Sequence, residues 1–378
     1  MSEWKEKILG DVVKFGNGKE RPKFKGDIPV FGGNGILDYT SQSNYDGETI
    51  IIGRVGAYCG SVFFQNRPIW VSDNALAAKP KQGFESKFIY YFLKNLQLNN
   101  FAEGSSHPLV TQTLLNSIDV NITDDFLEQK QIASVLSSLD DKIDLLHRQN
   151  KTLEQLAETV FRQWFIEEAE ENWEETTFDK HIEVFRGLSY KGNGLTIEGS
   201  GLPMHNLNSV YEGGGYKYEG IKFYKGDYKE RHLINTGDII VTNTEQGHEF
   251  RLIGFPAIVP DYYGQEGLFS QHIFKILPLK ETYLTREFLY YLLMTPNVRE
   301  QVIGATNGST VNMLAIDGLQ RPVFRLPNKE KIIAFTEIVK NYWNKKNLNH
   351  NQIRTLMQLR DTLLPKLMSG EISVIKNE

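Results

Sequence analysis

Apolar positions along this chain fall into two regimes, and each regime occurs twice. Between residues 4 and 126 they come in short runs closed by glycine, asparagine or proline. Gly47-Glu48-Thr49-Ile50-Ile51-Ile52-Gly53 and Ser61-Val62-Phe63-Phe64 predict β-strands of this kind. Phe88, Tyr91, Phe92 and Leu96 recur at helical spacing and predict a helix over Ser86 to Leu98. From Glu128 the period changes. Ile132, Leu136, Leu139, Ile143, Leu146, Asn150, Leu153, Ala157, Val160 and Trp164 are separated by alternating steps of four and three, the seam of a coiled coil. No Gly or Pro interrupts Glu128 to Glu171, and roughly 40 residues at ~1.5 Å rise give a helix ~60 Å long. Asn150 is the polar member of the seam; it either fixes register and pairing or is merely tolerated there.

The second half repeats the order. Phe88-Ile89-Tyr90-Tyr91-Phe92-Leu93 returns as Phe288-Leu289-Tyr290-Tyr291-Leu292-Leu293, and Gln131-Ile132 as Lys331-Ile332. Thr236 to Val241 answers Asp46 to Ile51, Ser270-Gln271-His272 answers Ser72-Asp73-Asn74, and Trp173 with Gly187 answers Trp4 with Gly18. The recurring anchors are mostly apolar or glycine and specify a scaffold, whereas the differing loops are free to recognise different things. A second helical segment starts near Asn328. Ile332, Phe335, Val339 and Trp343 form its first stripe; Ile353, Leu356, Leu359 and Leu363 form its last; Asn344 to Asn351 presents a polar face. Leu153 and Leu156 match Leu356 and Leu359 three residues out of phase with the earlier anchors, which marks either a stammer or a short break. Pro365 and Gly370 are expected to end the helix near Leu364. The organisation is therefore α+β, an internal pseudo-twofold repeat of two globular halves (1–126 and 171–327) separated by two long antiparallel helices (127–170 and 328–378).

Composition narrows the functional classes. The 378 residues are 40% apolar and 24% charged, enough to bury two cores of ordinary size. No run reaches membrane-spanning length and Met1 to Lys5 has no signal-sequence character, so the expected setting is the cytoplasm. The lone cysteine, Cys59, sits among glycines and apolar residues and reads as a packing residue. Net charge is −5, which argues against a tight grip on DNA by the chain alone. The first helical segment holds five basic against nine acidic residues and the second nine against five, as expected of helices lying together.

Catalytic signatures are missing. There is no Pro-Pro pair, so the Asn/Asp-Pro-Pro-Tyr type motif of amino-methyltransferases is ruled out, and no Gly-x-x-x-x-Gly-Lys-Ser/Thr loop for ATP. Pro260-Asp261 with Glu266-Gly267-Leu268 resembles a nuclease core until Leu268 stands where a lysine is needed. The eight histidines form no metal-ligand spacing. A non-catalytic chain without a metal is expected.

Two stretches carry a specific resemblance. Glu128-Gln129-Lys130-Gln131-Ile132-Ala133 through Leu139-Asp140-Asp141-Lys142-Ile143, with Leu153 to Phe165, resembles the central conserved region of specificity subunits of type I restriction-modification systems. Leu359 to Leu367 with Ser369-Gly370-Glu371-Ile372 resembles the C-terminal conserved region of the same family. The resemblance implies two target recognition domains, each reading one half of a two-part site in double-stranded DNA. It further implies that the helix pair spaces them and docks two modification (methyltransferase) subunits, which bring S-adenosylmethionine and methylate adenine. Restriction subunits using ATP and Mg²⁺ would join to translocate and cut; the chain itself would hold no cofactor. An orphan DNA reader and a protein scaffold of the same fold are the rival readings.

Under that reading, base edges call for Arg, Lys, Asn, Gln, Ser or Thr on loops. The first half offers Arg21, Lys23, Lys25, Arg54, Asn66, Arg67, Ser72, Asn74, Ser105 and His107. The second offers Arg186, Tyr190, Lys191, Tyr216, Lys217, Arg231, Asn243, Thr244, Gln246, Gln271, His272, Asn307 and Thr310.

Overall fold

The computed structural model describes residues 4–104, 108–247, 249–308 and 310–374. The chain divides into two compact units, Met1–Leu145 with Ile353–Glu378 and Leu146–Gln352. Four helices organise them: α1 (Ser86–Asn95), α2 (Phe126–Arg162), α3 (Arg286–Met294) and α4 (Lys329–Met368).

In the first unit a four-stranded antiparallel sheet runs Val13–Asn17, Ala75–Pro80, Glu48–Gly53, Val62–Asn66. The apolar run Ile50-Ile51-Ile52 is fully enclosed because the sheet is covered on both faces. Ile50 and Ile52 pack into the core that holds α1, and Ile51 points into a second core with Phe31 and Val71. That second layer is a small sheet, Gly35–Thr40, Ile28–Gly32, Trp70–Val71, whose last pairing is parallel. Helix α1 starts where the Glu85 carboxylate accepts the Phe88 N–H at 2.5 Å. It stops three residues short of the expected Leu98, because Gln97 turns left-handed at φ 50°.

The second unit repeats the four-stranded sheet strand for strand and enlarges the second layer from three strands to five. Ile182–Arg186, Ile273–Pro278, Ile239–Thr242 and Pro256–Ile258 form the antiparallel sheet in the same order. Ile239 and Val241 face the core with α3, while Ile240 faces the other layer. That layer also contains one parallel pairing, Leu202–His205 with Glu266–Phe269. The matched glycines have a steric cause. A Cβ on Gly18 would lie 1.7 Å from the Ser72 carbonyl oxygen, and one on Gly187 would lie 2.1 Å from that of Ser270. Both allow the same parallel bridge, Lys19 to Ser72 and Leu188 to Ser270. A third sheet, Thr244–Gln246, Val311–Leu314, Thr306–Asn307, is reduced in the first unit to the isolated bridges of Val55 and Glu103 to Leu109.

The long helices pack within each unit. In the first, Ile132, Leu136 and Ile143 of α2 are buried and Leu139 half-buried. Leu364, Leu367 and Met368 of α4 share the core with Ile132 and Leu136. Arg360 donates to Asp140 at 2.8 Å, and Asp140 also accepts the Tyr91 hydroxyl at 2.7 Å. Burial, then that carboxylate, raises the Tyr91 pKa. In the second unit Asn150 faces Asn349 and Glu154 faces Lys346, so the helices run antiparallel there. Leu146, Asn150 and Ala157 are buried and Leu153 is half-buried.

Three readings of the seam need correction. Beyond Ala157 the buried line passes through Phe161 and Phe165, leaving Val160 and Trp164 at its flank. A straight helix drifts relative to a 3.5-residue repeat, and the π-helical turn Gln163–Glu167 that follows α2 widens the winding further, so steps of four take over. The two phenylalanines then join Phe288 and Phe335 at centroid distances of 5.0–5.6 Å. At the end of α4 the buried positions are Ile353, Leu364, Leu367 and Met368. Leu356 and Leu363 are half-buried, and Leu359 is 44% exposed. Pro365 does not end the helix, which continues to Met368 before Gly370 closes it at φ 74°. A proline inside a helix costs ~3 kcal/mol, offset by burial of Leu367 and Met368. Because α4 is continuous, the phase change along it is not a break. Its earlier stripe is buried at Ile332, Phe335 and Val339 and half-buried at Trp343, whose indole donates to the Tyr291 hydroxyl at 3.3 Å.

Candidate nucleic-acid interface

The second unit gathers six of its thirteen sequence candidates around one concavity. Arg186 ends a strand, and Asn243 follows another. Gln271 and His272 form the turn between two more, and Thr244 and Asn307 come from the small third sheet. Together with Phe274, Met313 and Leu314 they line a cleft of ≈ 520 Å³. Arg186 also borders a second cleft, of similar volume, with Ser189, Arg231 and His232. No carboxylate is among the lining residues of either. The concavity suits an anion, with amides and hydroxyls beside the arginines.

Fixed backbone contacts hold this surface. Asn243 donates its N–H to the His272 carbonyl at 3.1 Å and its Nδ2 to the Gln271 carbonyl at 3.0 Å, and its own carbonyl accepts Leu314 N–H at 2.8 Å. Its Oδ1 is buried without a partner among the described residues. Thr244 Oγ1 contacts His272 Nδ1 at 3.3 Å. Beneath the third sheet, the buried Glu245 carboxylate accepts the N–H groups of Arg251, Leu252 and Ile253 at 2.9, 3.0 and 2.8 Å. Arg299 locks the same loop, donating to the carbonyls of Ile253 and Phe250 and stacking 3.5 Å from the Phe255 ring centroid. Burial lowers its guanidinium to about 10, against the pull of Glu245.

The first unit carries the same frame with different side chains. Arg54 occupies the place of Asn243: its N–H donates to the Asn74 carbonyl at 3.0 Å and its carbonyl accepts Val110 N–H at 2.9 Å. Asn74 thus stands where His272 does. Among the described residues Arg54 Nε is buried without a partner, as are Ser72 Oγ and the corresponding Ser270 Oγ. Cys59 is buried behind this loop with its thiol 3.2 Å from the Arg54 carbonyl, and burial raises its pKa.

Other candidates lie elsewhere. Asn66 ends its strand opposite Glu48 and Arg67 follows it, a full six-residue strand or ~20 Å from Arg54. Arg21, Lys23 and Lys25 are exposed on the loop before Ile28, with Arg21 3.8 Å from Asp38. Ser72 is buried. Tyr216 is turned inward, its hydroxyl 2.8 Å from His205 Nδ1. Tyr190 accepts from Lys222 at 2.8 Å, and Lys217 lies over the Tyr211 ring. Lys191, Gln246 and Thr310 are exposed. Ser105 and His107 fall outside the described residues. Met313, which lines the cleft, was not among the sequence candidates, since an exposed apolar residue on a short strand leaves no periodic signal. Among the described residues no group of three or more His, Cys, Asp or Glu is placed to hold a metal, and no helix is long and apolar enough to cross a membrane.

Comparisons with known proteins point to one family. Residues 1–155 match the family model described as type I restriction modification DNA specificity domain. The type I restriction enzyme MjaIX specificity subunit of Methanocaldococcus jannaschii is 24% identical, covering 98% of this chain and 94% of that relative. The HindI specificity subunit of Haemophilus influenzae is 25% identical over 72% of each. A crystal structure of a type I restriction-modification system S subunit from M. genitalium shares the fold, with TM-score 0.64 and 16% identity over 97% of this chain and 96% of that one. The family model covers the first 155 residues and the relatives align nearly end to end, so this chain is similar along its length to specificity subunits of type I restriction-modification systems.

Proposed function

We propose that each compact unit reads one half of a two-part site in double-stranded DNA, the first through the Arg54 and Asn74 loops and the second through the cleft of Arg186, Asn243, Gln271, His272 and Asn307. The observation that carries this is the recurrence of one backbone frame with different residues upon it, Arg54 and Asn74 against Asn243 and His272. A conserved frame with exchanged side chains is what two readers of different base sequences require, because phosphate contacts position a protein while side chains on base edges specify. Arginine suits guanine and asparagine suits adenine.

The chain supplies recognition, and the chemistry belongs to partners. Two modification subunits bring S-adenosylmethionine and methylate adenine, and restriction subunits bring ATP and Mg²⁺, all acting in the cytoplasm. The segments 1–126 and 171–327 serve as the target recognition domains, with 127–170 and 328–378 as the helices on which partners dock. Sequencing methylated adenines in the host with and without this gene tests the reading. A two-part motif that disappears on deletion supports it; an unchanged methylation pattern refutes it.

A further inference from the structure

The small third sheet of the second unit has two unlike faces. Register places Glu245 opposite Asn312, and both are buried, with Leu314 on the same side. The other face carries Gln246 opposite Val311, and Met313 between Thr244 and Asn307. Val311 is 46% and Met313 58% exposed, two apolar side chains on one face of a sheet fixed from below. Gln246 and Asn307 stand beside them, also exposed. This face runs into the cleft through Met313, Thr244 and Asn307, and the cleft's charged side chain is Arg186.

We propose that this ribbon enters the major groove and reads thymine methyl groups with Val311 and Met313, while Gln246 and Asn307 address neighbouring adenines. The proposal rests on the DNA-reading function of the second unit and deepens it by assigning the residues that contact A·T pairs. Its grounds are geometric and chemical. The major groove admits a two-stranded ribbon, its thymine methyl is the apolar feature a base pair displays there, and Asn or Gln pairs bidentately with adenine. The carboxylate-free arginine cleft beside the ribbon supplies the charge complement for the flanking phosphates. An apolar face serving a protein partner would not need amides interleaved with it or cations along its border.

The test uses the full chain co-expressed with its modification subunits, duplexes enriched from a randomised library, and 2′-deoxyuridine in place of each thymine, which removes the methyl alone. Burial of one methyl corresponds to about a fourfold change in affinity. Wild-type protein is expected to lose about fourfold at one or more thymines of one half-site. Met313→Ala and Val311→Ala are expected to bind thymine and uracil duplexes alike, with unchanged melting temperature and unchanged preference in the other half-site. Indifference of the wild type to every uracil, retained discrimination in both variants, or weakened subunit assembly with base preference intact overturns the proposal. Those outcomes leave a bipartite site standing, whereas failure to enrich any sequence removes the DNA-reading function and this inference together.

Discussion

Replacing the buried amide pair of the second unit tests whether the polar break in the helix seam is built or merely tolerated. Asn150 is 6% and Asn349 1% exposed, and Asn349 Nδ2 donates to Asn150 Oδ1 at 2.8 Å. Asn349→Leu leaves the Asn150 amide buried opposite a hydrocarbon. A buried polar group stripped of its partner costs about 1–3 kcal/mol, and each single leucine variant is expected to lose that much. The double variant removes both amides and places two leucines face to face, so its stability is expected to return to within about 1 kcal/mol of wild type or exceed it. The double-mutant cycle then shows a coupling of at least ~1 kcal/mol. Urea unfolding followed by tryptophan fluorescence measures all four proteins. Costs of the two single changes that add within ~0.5 kcal/mol would show that these residues do not interact and that the helices are paired differently.

Two histidines make the second unit acid-sensitive. Burial lowers His205 to about 3, and burial, then Lys346 and His147, lowers His350 to about 4. Both are neutral in the fold and protonate more readily when unfolded, so stability is full above pH ~6.5 and falls as pH drops toward 4. At pH 5 each contributes a loss of about 2 kcal/mol; melting curves at pH 7 and 5 check this, and a flat profile in that window contradicts the burial of both rings. In the first unit, Arg360→Ala leaves Asp140 held by Tyr91 alone and is expected to cost about 2 kcal/mol. Asp140→Asn in the same background should recover part of the loss in a thermal melt; no recovery would mean the charge pair is not the source of the effect.

Much of the fold was written in strong local patterns. Ile50-Ile51-Ile52 and Ile239-Ile240-Val241 are apolar on consecutive residues because both sheet faces are covered, and Gly18 and Gly187 recur because a carbonyl crosses where a side chain would stand. What escaped depends on tertiary context. The partner of Asn150 lies in the stretch Asn344 to Asn351, which reads as a solvated face until Lys346, Asn349 and His350 are seen to meet Glu154, Asn150 and Tyr218. Phe161 and Phe165 displace Val160 and Trp164 because α3 and α4 offer Phe288 and Phe335 to pack against. Arg54 and Asn243 were both candidates on sequence grounds, but their equivalence is carried by backbone hydrogen bonds and leaves no trace in residue type. The third sheet is made of strands of two to four residues, too short for a period to be visible.

Mapping the base preferences of Asn74→Ala and His272→Ala, the exposed pair on the shared frame, against wild type, by selection from a randomised duplex library with the modification subunits present, tests the shared-frame account most directly. Each substitution is expected to relax discrimination by about 1–3 kcal/mol at one position, with Asn74 acting in one half-site and His272 in the other. Relaxation of the same half-site by both variants, or a uniform loss of binding with base preferences unchanged, would contradict it.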